Sequence, residues 1–75
     1  MKLPIVSGLE VIKFLEKQGF ELVSRKSSHV RMKKKDSSGN VLVTVIPVHK
    51  RLDPGTLLAI LRQCNITRDY FIEHI

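Results

Sequence analysis

The sequence predicts an α+β fold of the order α-β-β-β-α, in which a three-stranded antiparallel sheet carries its helices on one face. Two observations predict it. Apolar residues recur at helical spacing near both ends, and three short stretches suited to strands lie between them, separated by turn residues. At 75 residues the chain has room for one domain, and we expect residues 1–75 to form it.

A first helix is predicted from Ser7 to about Gln18. Ser7 and Glu10 have the spacing of a capping box, in which each side chain accepts the other residue's backbone N–H. Gly19 can take the left-handed conformation that commonly follows a helix. The residues expected on the apolar side of this helix are Leu9, Val11, Ile12, Phe14 and Leu15.

Three strands are predicted at residues 20–25, 29–34 and 41–46, joined by turns rich in serine and glycine. In the first strand, one face is expected to carry Phe20, Leu22 and Ser24. The third strand is apolar at every position except Thr44, a pattern that suits a central or well-covered strand.

The second strand has the clearest alternation. Val30 and Met32 point to one side, while His29, Arg31 and Lys33 point to the other. If the apolar pair faces the helices, the polar residues lie on an open face of the sheet.

A second helix is predicted to start at Asp53 and Pro54, which suit the cap and the first helical position. Asn65 can end it, and Thr67 can cap a last short helix over residues 68–74 that buries Tyr70 or Phe71. The expected apolar stripe of the second helix consists of Leu57, Leu58, Ile60, Leu61 and Cys64. The resulting order of elements is the topology of the double-stranded RNA-binding fold.

The net charge is +6 and the pI is near 9.9. The excess positive charge is concentrated in one stretch of the chain. No acidic residue lies between Glu21 and Asp36. This stretch predicts a surface that binds a polyanion, and such a surface suits the phosphates of RNA. The alternative is an ordinary solvated strand whose lysines discourage edge pairing. The residues predicted to bind RNA are Arg25, Lys26, Ser28, Arg31, Lys33 and Lys35.

His29 is the candidate catalytic residue within this basic stretch. RNA carries its own nucleophile in the 2′-hydroxyl, so a histidine that removes this proton, with cations on the phosphate, can cleave RNA without a metal. The alternative is an inert histidine on a polar strand. His49 and Lys50 are possible secondary site residues; His49 is either a second acid–base group or a structural or phosphate contact.

Cys64 is the only cysteine, so an internal disulfide is impossible. We expect a buried apolar side chain rather than a reactive thiol. Because a secreted domain this short usually needs disulfides, we expect a cytoplasmic protein. Neither a metal site, a cofactor site nor membrane binding is predicted, since ligand spacing, a phosphate loop and a long apolar run are all missing from the sequence.

Several segments spread over nearly the whole chain form a specific combination. They are Leu3-Pro4 with Ser7-Gly8, LEKQGF at 15–20, Ser28-His29, TVIPVHK at 44–50, LDPGTLLAIL at 52–61, and Asn65-Ile66-Thr67 before DYF. In this combination the chain resembles the HicA toxins, the ribonuclease half of the HicA–HicB toxin–antitoxin systems. One departure is at position 27, where that family commonly has glycine and this chain has Ser27.

The resemblance implies a double-stranded RNA-binding-like fold, translation-independent cleavage of mRNA, and His29 as the catalytic residue. It also implies a HicB-type antitoxin that masks the site. Two other readings remain open from the residues themselves. One is a non-catalytic RNA-binding module of the same fold, and the other is an interaction protein whose basic patch binds only an acidic partner.

Overall fold

The computed structural model describes residues 2–75 and confirms the predicted α+β order. A helix is followed by three antiparallel strands, in the spatial order β1-β2-β3, and then by two helices. The elements are α1 (Gly8–Lys17), β1 (Glu21–Lys26), β2 (His29–Lys35), β3 (Val41–Pro47), α2 (Pro54–Gln63) and α3 (Arg68–His74).

Helix ends follow the predicted signals. The Glu10 N–H donates to the Ser7 hydroxyl at 3.1 Å, and the Ser7 N–H donates to the Glu10 carboxylate at 2.9 Å, which completes the capping box. Gly19 has a φ of +94°, as a left-handed residue after a helix requires. Asp53 and Thr67 cap α2 and α3 through their side chains. Local sequence therefore sets where each helix begins.

The two faces of the sheet differ in burial. On β2, Val30 and Met32 are buried, whereas the residues between them are exposed. On β3, Thr44 and Ile46 are buried in the same way. We call the side that these four residues share the inner face, because α1 and α2 pack there, and the opposite side the outer face. Helices on one face of the sheet were predicted, and the burial pattern confirms it.

The predicted central or well-covered position of β3 is wrong. β2 is the central strand, and β3 forms one edge of the sheet. The helices cover only its inner face, so Val41, Val43 and Val45 on the outer face are 60%, 46% and 40% exposed. The physical reason is connectivity: the two turns that flank β2 are short, and each places a neighbouring strand directly beside it.

β1 contains a bulge that the sequence reading missed. Leu22 pairs with Met32, but the next paired residue is Ser24, opposite Arg31, so Val23 is an extra residue. The bulge reverses the phase of the strand, and Ser24 therefore lies on the outer face instead of sharing a face with Leu22. The prediction that Phe20, Leu22 and Ser24 lie on one face is wrong for this reason.

The core lies between the inner face and the helices. It includes the predicted helix residues except two: Leu9 of α1 and Leu58 of α2 are exposed, so their placement in the apolar stripes was wrong. Both flank the buried stripe and point to its solvent side. Of the two aromatic residues weighed for α3, Phe71 is buried and Tyr70 is exposed.

The start of α1 touches the end of β3. A Cβ atom on Gly8 would collide with the carbonyl oxygen of Pro47, so this close approach requires glycine. The Gly8 N–H donates to the carbonyl oxygen of His49 at 2.9 Å. Next to it, the Leu52 N–H donates to the carbonyl oxygen of Val6 at 2.8 Å. These bonds fix the loop that follows β3 against the first helix.

Candidate functional site

His29 lies at the start of β2 on the outer face. Its strand alternates strictly, so the side chain is exposed while Val30 is buried. Arg31, Lys33 and Lys35 follow on the same face and are also exposed. We call these three residues the basic column. The sequence predicted this side of β2, and the structure places His29 at one end of it.

β1 adds a second cation beside His29. The register pairs Lys26 with His29 and Ser24 with Arg31. Directly opposed residues of antiparallel strands point to the same face, with Cβ atoms about 5 Å apart. Lys26 and Ser24 are therefore neighbours of His29 and Arg31 on the outer face.

β3 adds an apolar border on the other side. Val45, Val43 and Val41 oppose Arg31, Lys33 and Lys35, and Pro47 opposes His29. We call the three valines the valine column. The outer face thus presents a basic column beside an exposed apolar column, and the candidate site lies at one end of their boundary.

An open groove of about 580 Å³ surrounds the histidine. Its lining residues are Ser24, Lys26, Ser27, His29, Arg31 and Val45. The groove offers one imidazole, two cations and two hydroxyls in a solvent-accessible place. This set suits a phosphodiester, because cations and hydroxyls bind phosphate oxygens while the imidazole moves a proton.

The turn before His29 has a constrained backbone. Ser27 has a φ of +57°, a left-handed conformation that favours glycine. The carbonyl oxygen of Ser28 accepts the Val48 N–H at 2.6 Å, which extends the pairing of β2 and β3 beyond the end of the sheet. The conformation of the turn and this bond fix the position at which β2, and with it His29, begins.

Not all predicted RNA-binding residues meet at the groove. Arg25 opposes the buried Val30, so its register places it on the inner side of the sheet, away from His29. Lys33 and Lys35 lie on the outer face but further along β2, and Ser28 is half-buried in the turn. Of the predicted set, Lys26 and Arg31 line the groove with His29.

His49 and Lys50 lie in the exposed loop after β3 and do not line the groove. The backbone of His49 has a structural part, because its carbonyl oxygen accepts the Gly8 N–H. Sequence reasoning did not include Ser24 and Val45 in the site. Only strand register could have revealed them, since Ser24 depends on the bulge and Val45 on the pairing with Arg31.

Cys64 is buried at the end of α2, as predicted. Burial raises the pKa of its thiol from an ordinary value of 9.0 to about 11, and a hydrogen bond with Thr44 partly opposes this shift. The thiol therefore stays protonated at neutral pH. Thr44 itself donates to the side-chain oxygen of Gln63 at 2.8 Å.

The described residues contain neither a candidate membrane-spanning helix nor a candidate metal-binding cluster. Over residues 2–75, no helix has the length and apolar character needed to cross a bilayer. The same residues contain no group of three or more histidine, cysteine, aspartate or glutamate side chains that could hold a metal ion.

Comparison with known families gives a match over most of the chain. A family model described as the HicA toxin of bacterial toxin–antitoxin systems matches residues 8–66. The matched segment runs from α1 through α2 and includes every residue that lines the groove. Comparisons with curated proteins and with solved structures gave no significant match.

Proposed function

The chain belongs to the HicA toxin family of bacterial toxin–antitoxin systems, and from this premise we propose that it is an endoribonuclease that cleaves mRNA in the groove around His29. The observation that carries the proposal is the groove itself. It brings one exposed imidazole together with Lys26 and Arg31 on the open face of the sheet.

In the proposed reaction, the imidazole of His29 accepts the proton of the ribose 2′-hydroxyl. The 2′-oxygen then attacks the neighbouring phosphorus, and the bond from phosphorus to the 5′-oxygen breaks. Lys26 and Arg31 stabilise the extra negative charge on the phosphate oxygens in the transition state. The departing 5′-oxygen takes up a proton from solvent and the imidazolium of His29 releases its proton to solvent, so the products are a 2′,3′-cyclic phosphate and a 5′-hydroxyl.

The nucleophile and the charge stabilisation both come from groups already named, so we propose that the reaction needs no metal or cofactor. Ser28 is proposed to hold the turn before His29, and Lys33 and Lys35 to bind phosphates further along the RNA. Arg25, His49 and Lys50 are proposed as more distant phosphate contacts.

We further propose that the toxin acts in the cytoplasm as a single domain and that a HicB-type antitoxin masks the groove.

The test is cleavage of a long mRNA in excess EDTA by wild type and His29→Ala. General base catalysis contributes roughly 10²–10⁴-fold, so we expect His29→Ala to lose at least about 100-fold in rate. His74→Ala is the matched control, since His74 is also exposed but lies on α3. The ends of the products should carry a cyclic phosphate and a 5′-hydroxyl.

Other outcomes would redirect the proposal. Equal cleavage by wild type and His29→Ala would remove His29 from the chemistry. Cleavage that stops in EDTA and resumes with magnesium would contradict the metal-free reaction. Bound but uncut RNA with the wild-type protein would identify a non-catalytic RNA-binding module.

A further inference from the structure

The valine column has no part in the proposed cleavage, apart from Val45 at the wall of the groove. Val41 and Val43 are nevertheless 60% and 46% exposed. They lie on an edge strand whose register with β2 is continuous over all seven residues. A row of exposed apolar side chains on one face of a regular strand forms a patch of the kind that commonly marks a protein interface.

We propose that the antitoxin docks on the outer face by packing apolar side chains on the valine column, while its carboxylates pair with the basic column. The proposal rests on the proposed function, because it places the antitoxin on the face that carries His29. It adds the chemistry of the contact surface: an apolar row that runs beside an acidic row.

The charge of the outer face selects this occupant. Arg31, Lys33 and Lys35 run directly beside the valines, so any partner that covers one column must also neutralise the other. A second copy of this chain, at +6, would bring like charges together. RNA matches the basic column, but its phosphates gain nothing from exposed valines. An acidic protein surface with apolar side chains satisfies both columns.

The shape of the face supports a partner that extends along it. The groove at His29 lies at one end of the boundary between the columns, with Val45 in its wall. A second depression lies at the other end and includes Lys33, Lys35 and Val41. From residue 29 to residue 35 a strand spans about 20 Å. One helix or strand of the antitoxin can fill both depressions and thereby cover His29.

The two columns are expected to control different rate constants. Charges on the basic column steer the partner, so they set the association rate and its dependence on salt. Buried apolar contacts mainly set the dissociation rate. The valine column should therefore determine how long the toxin remains inhibited.

The test compares Val41→Thr/Val43→Thr with wild type in binding to the purified cognate antitoxin by biolayer interferometry. Threonine keeps the β-branched shape that suits a strand, so the fold is expected to persist. We expect Kd to rise at least about tenfold, almost entirely through faster dissociation. Val23→Thr is the matched control, because Val23 is also exposed but lies on β1 at the opposite edge of the sheet.

RNA cleavage by the same variants without antitoxin is the second readout. We expect the rate to be unchanged, while the antitoxin concentration needed for half inhibition rises in parallel with Kd. Wild-type antitoxin affinity in Val41→Thr/Val43→Thr would overturn the proposal. So would a loss of RNA binding with antitoxin affinity intact, which would assign the valines to RNA.

Sedimentation of the free toxin tests the remaining candidate occupant, a second copy of this chain. Dissociation of a wild-type dimer by the valine substitutions, with antitoxin affinity unchanged, would assign the column to self-association and overturn the proposal. Binding is measured without RNA, so a protein that proves unable to cleave RNA leaves this result intact.

Discussion

The inner and outer faces of the sheet use the same two strands for opposite purposes. On the inner face, Val30, Met32 and Ile46 are almost completely removed from solvent. On the outer face, one residue away along each strand, lie the histidine, the basic column and the valine column. A one-residue alternation thus separates the groups that stabilise the fold from the groups that are free to bind.

Because of this separation, substitutions on the two faces should have different effects. Inner-face changes should lower the free energy of unfolding, and outer-face changes should alter binding or cleavage in a folded protein. The loss of cleavage expected for His29→Ala in an intact fold is the largest outer-face effect.

Met32→Ala should break the inner face. Met32 is fully buried at the centre of the sheet, and shortening such a side chain costs about 2–5 kcal/mol of unfolding free energy. Lys33→Ala, one residue further along, should change it by less than about 0.5 kcal/mol. Urea denaturation followed by circular dichroism measures both. Equal destabilisation by the two variants would contradict the division of the faces.

The reactivity of the Cys64 thiol tests how well the helix-covered side of the sheet excludes solvent. Its raised pKa, about 11, should make alkylation by iodoacetamide at pH 8 roughly 100-fold slower than in the urea-unfolded chain. The folded state keeps the thiol proton to higher pH than the unfolded state does. The free energy of unfolding should therefore fall as pH rises from 9.0 towards 11. Rapid alkylation of the folded protein would show that the thiol is accessible.

Lys26→Gln and Arg25→Gln compare neighbouring cations on opposite sides of β1. Lys26 opposes His29, whereas Arg25 opposes the buried Val30. Loss of a charge-assisted contact with phosphate costs about 1.5 kcal/mol or more, so Lys26→Gln should slow mRNA cleavage about tenfold. Arg25→Gln should slow it less than about twofold. Comparable losses would mean that position relative to the groove is unimportant and that only total charge counts.

Ser27→Gly tests the left-handed turn that leads into the outer face. A left-handed residue with a side chain costs about 1–2 kcal/mol, and the greater freedom of glycine in the unfolded chain offsets part of that. We expect the free energy of unfolding, measured by thermal denaturation, to rise by about 0.5 kcal/mol. The control is Ser28→Gly, because Ser28 does not have a positive φ. A loss of stability in Ser27→Gly would mean that the serine side chain stabilises the turn.

Local signals predicted the elements of the fold. The capping box, the helix-ending Gly19 and the alternation of β2 each depend on residues close in the chain, and all three are confirmed. The position of β3 at an edge was not predictable from its composition, since an apolar strand fits either place. Leu9 and Leu58 were misplaced because periodicity does not define where an apolar stripe stops.

The candidate site was predictable only in part, because some of its residues are brought together by strand pairing. Alternation along β2 predicted the outward positions of His29 and Arg31. Neighbours on β1 depended on the bulge, which makes Lys26 face outward and Arg25 inward. No pattern within residues 20–26 announces one extra residue. Long-range pairing decided which cation joins the histidine.

The contact between Gly8 and the end of β3 has a consequence for synthesis of the protein. The first helix leaves the ribosome early, but its N-terminal N–H finds its partner only when His49 has been made. Folding around this contact must therefore close a long loop, which is slower than forming the helix or the hairpins. In the nascent chain, His29 and the basic residues are synthesised before the fold positions them. A functional site should therefore form only late in translation.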